Sequence, residues 1–202
     1  MKTMGFLGPV GTHSEAAALY LNKQLPEACE LVPLPNIYAA IRAVEKEQVD
    51  TCLVPVENSI EGSINITLDT LANSDNLKVI RELIWGVHNH LMTQNPAIPI
   101  TRIFSHAQPL AQCREYLLKN YPDVELDAVA SSAMAAEQVA KSQPDSGWAA
   151  ICTERAGIMN GLVPVAHNIE DHDNNSTRFY QLALNSYEAD LPQDKTLIIC
   201  QI

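Results

Sequence analysis

The sequence predicts an α/β fold made of two α/β lobes, with a ligand cleft between them. Five times, a short apolar run ends in a small polar turn and continues into a helical pattern, which is typical of β-α units. These units form two series, one on each side of a long extended stretch, Lys78–Met92. We interpret this stretch as a crossover between the lobes, and we expect a ligand to bind where the lobes meet.

The first series is expected to form most of lobe 1. Thr12 and Glu15 have the spacing of a capping box, in which both side chains pair with backbone N–H groups at a helix start. They therefore predict that a helix begins beside Thr12. Periodicity predicts the elements of this series: strands at Met4–Gly8, Glu30–Leu34 and Cys52–Val56, and helices at Ser14–Leu25, Ile37–Glu47 and Ile64–Leu71.

The second series is expected to form lobe 2 before the chain returns to lobe 1. Its predicted elements are strands at Arg102–Phe104, Val124–Val129, Trp148–Cys152 and Val163–Ala166, and helices at Leu110–Leu118, Ala133–Lys141 and Glu154–Met159. A last strand, Thr177–Leu184, is expected to return to lobe 1. The predicted division is therefore 1–78 plus 168–190 for lobe 1 and 79–167 for lobe 2, with a linker and the start of a further strand in 191–202.

The polar turns indicate what the fold binds. They lie where predicted parallel strands end, which is where open α/β sheets bind ligands, and the following helices begin with N–H groups that favour anions. Several turns carry Thr, Ser, Asn or Gln, so we expect a small anionic ligand. The turns are Gly8–Ser14, Glu57–Ser59, Ser105–Pro109, Ala130–Ser132 and Cys152–Glu154.

Composition excludes several classes of partner. The 202 residues are 47% hydrophobic and 18% charged, enough for a sizeable core, and the formal net charge is -11. Without a basic block, the chain is a poor candidate for binding nucleic acid or anionic membranes.

Because Met1–Gly5 leads directly into a strand pattern and no apolar run is long enough to span a bilayer, we expect a cytoplasmic protein. The five cysteines, with no C-x-x-C pair, are expected to be reduced core residues.

One loop and strand carry a family signature. Residues 169–179, with Asp171, Asn175 and Thr177-Arg178-Phe179, closely resemble the motif of prephenate dehydratases. Further segments match the family in the same order and extend the resemblance to about Leu184: Gly8-Pro9 with Gly11-Thr12 and Ser14-Glu15, Val54–Gly62, Ser105-His106 with Gln108 and Gln112-Cys113, Ser132–Ala136, and Ala156-Gly157.

Three departures from the family pattern are visible. The family usually has an aromatic residue where this chain has His13, and a proline where it has Ala107. Family members commonly continue into an ACT-type domain that senses phenylalanine, whereas this sequence ends at Ile202. Because Asp194–Ile199 is similar to the opening strand of that domain, we expect a truncated ACT domain and no feedback regulation through it.

The resemblance implies a reaction and its requirements. Prephenate loses its ring hydroxyl and ring carboxylate to give phenylpyruvate, carbon dioxide and water. Because the product ring is aromatic, the enzyme mainly has to hold the dianion and donate a proton or hydrogen bond to the departing hydroxyl. The resemblance implies neither a metal nor an organic cofactor, and it implies a homodimer or a larger assembly.

Thr177 is predicted to be the donor at the departing oxygen, with Glu57 as the acid behind it. Arg178 has two open roles: its guanidinium suits a carboxylate of the substrate, but neighbouring strand residues point to opposite faces, so it is equally suited to a structural ion pair. The remaining predicted substrate contacts are Thr12, Asn58, Ser59, Ser105, Gln112, Ser132, Asn175 and Phe179.

Three alternatives remain open. Asp171, His172 and Asp173, with His88 and His90, have the residue types of a metal site. A two-lobed clamp similar to type II periplasmic binding proteins is also compatible with a binding module that performs no chemistry. Finally, arogenate is a competing substrate. Because arogenate has an ammonium group in place of the keto group, an acidic residue near that end of the ligand would favour it.

Overall fold

The computed structural model describes residues 1–172 and 174–188, and these fall into two compact units. Of the described residues, unit 1 contains Met1–Pro9, Ser14–Gly86 and Ser176–Glu188, and unit 2 contains those within Val10–His13 and Val87–Asn175. Each unit has its own β-sheet with helices. The prediction of two α/β lobes is therefore confirmed.

Unit 1 is built on a six-stranded sheet. Its strands are β1 (Thr3–Leu7), β2 (Glu30–Leu34), β3 (Thr51–Asn58), β4 (Gly62–Ser63), β5 (Leu77–Gly86) and β11 (Ser176–Leu184). Its helices are α1 (His13–Gln24, whose first residue groups with unit 2), α2 (Ile37–Glu45) and α3 (Asn65–Ala72).

The strand order in unit 1 is β2-β1-β3-β11-β5, with β4 paired to β3. Strand β1 is parallel to β2 and β3, whereas β11 is antiparallel to both β3 and β5. Strand β3 lies in the middle and is buried over Thr51–Val56, which explains its nearly continuous apolar sequence. Helix α2 buries Ile41 and Val44 against this sheet, and the Asn36 side chain caps its first turn at Ala39 N–H.

Unit 2 is built on a five-stranded sheet with the order β10-β6-β9-β7-β8. Strand β7 is parallel to β8 and β9, and β6 is antiparallel to β9 and β10. The strands are β6 (His90–Thr93), β7 (Arg102–Ser105), β8 (Glu125–Ala128), β9 (Trp148–Cys152) and β10 (Val163–Ala166). The helices are α4 (Ala107–Gln112), α5 (Arg114–Asn120), α6 (Ser132–Ala140) and α7 (Glu154–Met159).

The structure corrects the predicted boundary between the lobes. The stretch interpreted as a crossover contains two strands, and β5 pairs with β11 from Leu77 to Gly86. Residues 79–86 therefore belong to unit 1, and the chain enters unit 2 at Val87. Residues 168–175 belong to unit 2 rather than lobe 1. The predicted linker and further strand in 191–202 lie outside the described residues.

The structure also corrects one predicted helix. Leu110–Leu118 is divided at Cys113, which ends α4 and precedes α5. Burial raises the pKa of the Cys113 thiol, as it does for Cys52, and raises that of Cys152 to about 12. These three cysteines are buried core residues, and a raised thiol pKa does not suit a nucleophile. Over the described ranges, no helix is long and apolar enough to cross a bilayer.

Candidate functional site

Thr177 is held by Asn58 across two neighbouring strands of unit 1. The antiparallel register of β11 and β3 places Thr177 opposite Asn58, and Asn58 Nδ2 donates a hydrogen bond to Thr177 Oγ1 at 3.0 Å. The other side of the Asn58 amide is fixed as well, because Oδ1 accepts from the N–H groups of Ile60 and Glu61. The position of the Thr177 hydroxyl is therefore set by the turn after β3.

A second pair of hydrogen bonds fixes the start of β11. Ser59 N–H donates to the Ser176 carbonyl at 2.8 Å, and Ser176 N–H donates to Ser59 Oγ at 2.9 Å. Ser59, a predicted substrate contact, therefore has a structural role. A hydroxyl group has one proton to donate. Because Thr177 Oγ1 accepts from Asn58, its own O–H can be directed to another group.

Arg178 lies on the opposite face of β11, between two carboxylates. Its Nη1 is 3.5 Å from Glu57 Oε2, and its Nε is 3.3 Å from Glu82 Oε1. Ser176 is already in strand pairing with Gly86, so side chains alternate from the start of β11. Of the two roles left open for Arg178, this geometry favours the structural ion pair.

The same register separates Glu57 from Thr177. Residues directly opposite each other in an antiparallel pair share a face, and Glu57 is opposite Arg178, whereas Asn58 is opposite Thr177. The carboxylate of Glu57 accordingly pairs with Arg178. In this structure the Glu57 carboxylate therefore does not lie behind the Thr177 hydroxyl, where it was expected.

Two further predicted contacts are core residues. Phe179 is 1% exposed and packs with Met4, Phe6 and Leu53 in unit 1. Ser105, at the end of β7, is 0% exposed and donates its hydroxyl proton to the Ile151 carbonyl at 2.6 Å. Both side chains are enclosed by their own unit in this structure, and neither has a described contact that supports its predicted role as a substrate contact.

Helix starts in unit 2 carry several of the other predicted residues. Thr12 directly precedes α1, which confirms the predicted helix start within one residue. Ser132 is the first residue of α6, but the cap is Ser131, whose side chain accepts from Met134 N–H. Gly11 has a φ of +88°, and a Cβ there would lie 3.1 Å from Ala156 Cβ. Glycine is therefore required at this turn.

Gln112 is the last residue of α4 and is joined to Asn89. Asn89 Nδ2 donates to Gln112 Oε1 at 3.4 Å, and the Gln112 carbonyl accepts from Asp171 N–H at 2.7 Å. Asn175, another predicted contact, is 2% exposed, and its carbonyl accepts from Val87 N–H at 2.9 Å. Asn175 is thus buried in unit 2, whereas Gln112 is partly exposed.

The acidic loop of the signature has structural partners. Glu170 is 2.8 Å from His88 Nδ1 and accepts from Asn89 N–H at 2.9 Å. The Asp171 carboxylate accepts from the N–H groups of Glu115 and Tyr116 and so caps α5. Within 1–172 and 174–188, no cluster of His, Cys, Asp and Glu has the arrangement of a metal site. Asp171 and Glu170 instead accept hydrogen bonds from backbone N–H groups of unit 2.

His13 and Asn89, which the sequence did not single out as site residues, are linked by side-chain hydrogen bonds to the predicted contact Gln112. Burial lowers the pKa of His13 to about 4, with His90 and His88 acting in the same direction and Asn89 and Glu170 opposing them. The imidazole is therefore neutral at physiological pH. The available signal was His13 itself, which replaces the usual aromatic residue, and the polar run His88–His90 between apolar segments.

Comparison with known proteins identifies the family. The sequence profile of the prephenate dehydratase family matches residues 4–186. The chain is 42% identical over 199 residues to the bifunctional chorismate mutase/prephenate dehydratase of Stutzerimonas stutzeri, covering 97% of this chain and 52% of that protein. It is 35% identical to the prephenate dehydratase of Lactococcus lactis subsp. cremoris, covering 95% of this chain and 67% of the relative.

Solved structures agree with the sequence comparisons. The prephenate dehydratase of Arthrobacter aurescens, solved in complex with L-Phe, matches with a TM-score of 0.79 and 31% identity, covering 96% of this chain and 62% of that one. The chain spans about half the length of the bifunctional curated relatives it matches. On the strength of the profile match and these identities, the chain belongs to the prephenate dehydratase family.

Proposed function

We propose that this chain converts prephenate to phenylpyruvate, carbon dioxide and water, with Thr177 as the donor at the departing hydroxyl. Family membership supports the reaction. The observation that supports the residue is the hydrogen bond from Asn58 Nδ2 to Thr177 Oγ1 at 3.0 Å. Because the oxygen of Thr177 is engaged as an acceptor, its proton is oriented toward a different partner.

The proposed role matches the acidity of threonine. A threonine hydroxyl does not release its proton at neutral pH, so it acts as an oriented hydrogen-bond donor to the oxygen that leaves. Formation of the aromatic ring supplies the driving force, and the donor stabilises charge on the departing oxygen. Glu57 is not part of this proposal, since it pairs with Arg178 on the other face of the strands.

The proposed contacts to the substrate carboxylates lie at polar groups near helix ends. Thr12 precedes α1 and Ser132 begins α6, and a helix start favours an anion through its N–H groups and its dipole. We further propose Gln112 and Asn175 as hydrogen-bonding contacts and Asn58 as the residue that orients Thr177. Arg178 is proposed to stabilise the strands rather than to bind substrate, because Glu57 and Glu82 both face it.

We place the reaction in the cytoplasm and propose a homodimer or larger assembly. The biosynthetic role of the named relatives supports the location, and the family resemblance supports the assembly. Light scattering of the purified chain is expected to give at least twice the mass of 22.2 kDa. A monomer at micromolar concentration contradicts the proposed assembly.

Incubation with prephenate at neutral pH tests the proposed activity directly. Phenylpyruvate is measured by the absorbance of its enolate after alkali is added, and the expected result is formation in proportion to the protein added. Heat-denatured protein corrects for the spontaneous reaction. Product formation no faster than in this control contradicts the proposal.

A further inference from the structure

A short loop, Val10–His13, groups with unit 2, although the chain on either side of it, Met1–Pro9 and Ser14–Gly86, belongs to unit 1. The loop contains Thr12, a proposed substrate contact, directly before α1. Residues 10–12 lie between β1 and α1. The place of the loop in unit 2 therefore depends on contacts that the loop itself makes.

Thr153 attaches this loop to unit 2. Its hydroxyl group donates a hydrogen bond to the Gly11 carbonyl at 2.7 Å and accepts one from Ala156 N–H at 3.0 Å. Thr153 is 5% exposed, and both bonds are buried. A hydroxyl group can donate and accept at the same time. One side chain thus caps the start of α7 and holds the backbone of the loop.

The backbone of the loop also packs closely on two helices of unit 2. Gly11 is buried, and a Cβ at this position would lie 3.1 Å from Ala156 Cβ and 3.3 Å from Ala133 Cβ. A shift of the loop toward α6 and α7 is therefore blocked. A shift away from these helices breaks the hydrogen bond from Thr153.

The other end of the loop is attached as well. The His13 ring is hydrogen-bonded to the Asn89 side chain, and burial lowers the pKa of His13 to about 4. The backbone of Asn89 is fixed in turn, because its N–H donates to Glu170 Oε2 at 2.9 Å. Thr12 therefore lies between two attached residues, Gly11 and His13.

We propose that Thr153 is a positioning residue for substrate binding: its hydroxyl group fixes the loop 10–13 and thereby holds Thr12 in place to contact a carboxylate of the substrate. Thr153 itself does not touch the substrate, because its hydroxyl group is engaged by Gly11 and Ala156. This inference rests on the proposed function, because the role of Thr12 as a substrate contact is part of that proposal.

Steady-state kinetics with prephenate test the positioning role in wild type, Thr153→Val and Thr153→Ser. Valine keeps the shape of threonine but cannot donate, so the buried Gly11 carbonyl loses its partner and the loop is released. KM is expected to rise about tenfold with kcat within about threefold of wild type, as for loss of a contact that serves binding alone. Serine keeps the hydroxyl group and is expected to restore KM to within about twofold of wild type.

The matched control is Thr93→Val in the same unit. Thr93 is 3% exposed and donates its hydroxyl proton to the Trp148 carbonyl at 2.7 Å. The control thus removes the same kind of buried hydrogen bond, but one that joins β6 to β9 rather than to the loop. KM in this variant is expected to equal that of wild type. An equal rise of KM in Thr93→Val and Thr153→Val overturns the proposal.

Gly11→Ala is the second variant, and it decides the test if Thr153→Val does not fold. The added Cβ meets Ala156 Cβ at a residue whose φ is +88°, so the loop is displaced while Thr153 is unchanged. KM for prephenate is expected to rise about tenfold or more, with a smaller change in kcat. An unchanged KM in folded Thr153→Val, or in Gly11→Ala, overturns the proposal.

The titration of His13 separates the failure of this proposal from the failure of the proposed function. Release of the loop exposes the His13 ring to water and removes the cause of its low pKa. The NMR signal of this ring, assigned by comparison with His13→Asn, is expected to give a pKa of about 4 in wild type, Thr153→Ser and Thr93→Val, and a value closer to 6.5 in Thr153→Val.

This titration needs no turnover. If wild type does not convert prephenate, the proposed function fails and the pKa of His13 still decides whether Thr153 holds the loop. A His13 pKa that is the same in Thr153→Val and wild type overturns the proposal.

Discussion

The Thr177 hydroxyl oxygen accepts a hydrogen bond from the Asn58 side-chain amide at 3.0 Å, between residues that face each other on β11 and β3. Asn58 in turn is fixed by two backbone N–H groups of the following turn. This arrangement fixes the position of the Thr177 oxygen, and because that oxygen accepts from Asn58, the Thr177 proton can be donated to another group. It makes Asn58 a positioning residue for the proposed donor.

Replacing Asn58 with aspartate is expected to lower kcat for prephenate by about tenfold or more. The carboxylate still accepts from Ile60 and Glu61 N–H, but its second oxygen accepts the Thr177 proton instead of donating to Thr177. The donor is thereby withdrawn from the substrate. Asn73→Asp, at an exposed residue of unit 1, is the matched control. An unchanged kcat in Asn58→Asp contradicts the positioning role.

Arg178→Gln distinguishes an ion pair from a substrate contact. The Arg178 and Glu57 side chains are 43% and 47% exposed, and exposed ion pairs contribute about 1 kcal/mol or less to stability. The expected result is therefore a small decrease in the free energy of unfolding, measured in urea, with an unchanged KM for prephenate. A tenfold increase in KM would show that Arg178 contacts the substrate.

His13 is expected to make stability depend on pH below neutrality. Burial lowers the pKa of the ring from 6.5 to about 4, so the unfolded chain binds more protons than the folded chain between these values. The stabilising contribution is fully present above pH 6.5 and is lost as pH falls toward 4, in total on the order of 3 kcal/mol.

The measurement is the free energy of unfolding of wild type and His13→Asn from pH 4 to 8. Subtracting the free energy of unfolding of His13→Asn from that of wild type removes the contribution of the titrating groups that both proteins share. The resulting difference is expected to be constant above pH 6.5 and to decrease at lower pH, where wild type loses stability. A difference that stays constant down to pH 4 contradicts the lowered pKa.

Asp171 is expected to stabilise α5 through its cap. The carboxylate accepts from Glu115 and Tyr116 N–H at 3.0 and 3.1 Å, and loss of a helix cap typically costs about 0.5–2 kcal/mol. Thermal unfolding should therefore show a lower Tm for Asp171→Ala, whereas Asp145→Ala, in an exposed turn, should retain the wild-type Tm. Equal Tm values for the two variants rule out the cap.

Local patterns predicted much of the fold. The strands Glu30–Leu34, Trp148–Cys152 and Val163–Ala166 and the helix Glu154–Met159 have the predicted bounds, because apolar periodicity and turn residues act over a few neighbouring positions. The pattern of residues 78–92 predicts a single crossover, whereas most of this stretch forms β5. Strand β5 pairs with β11, about a hundred residues away along the chain, and such long-range pairing leaves no local signal in the sequence.

The candidate site was predictable in residue type but not in geometry. The family motif identified Thr177 and Asn58, yet the opposite faces of Thr177 and Glu57 depend on the register between β11 and β3. Likewise, Phe179 belongs to the motif but lies in the core. His13 and the polar run His88–His90 are visible in the sequence, but the burial that keeps the His13 imidazole neutral is evident only from the structure.

The most direct test of the proposed mechanism is kcat for prephenate in wild type, Thr177→Val and Thr177→Ser. Valine preserves the shape of threonine but lacks the hydroxyl, and losing one such donor typically costs about 10²-fold or more in rate. We predict a loss of this size in Thr177→Val and a kcat within about tenfold of wild type in Thr177→Ser. A folded Thr177→Val protein with wild-type kcat would contradict the role of Thr177 as the donor.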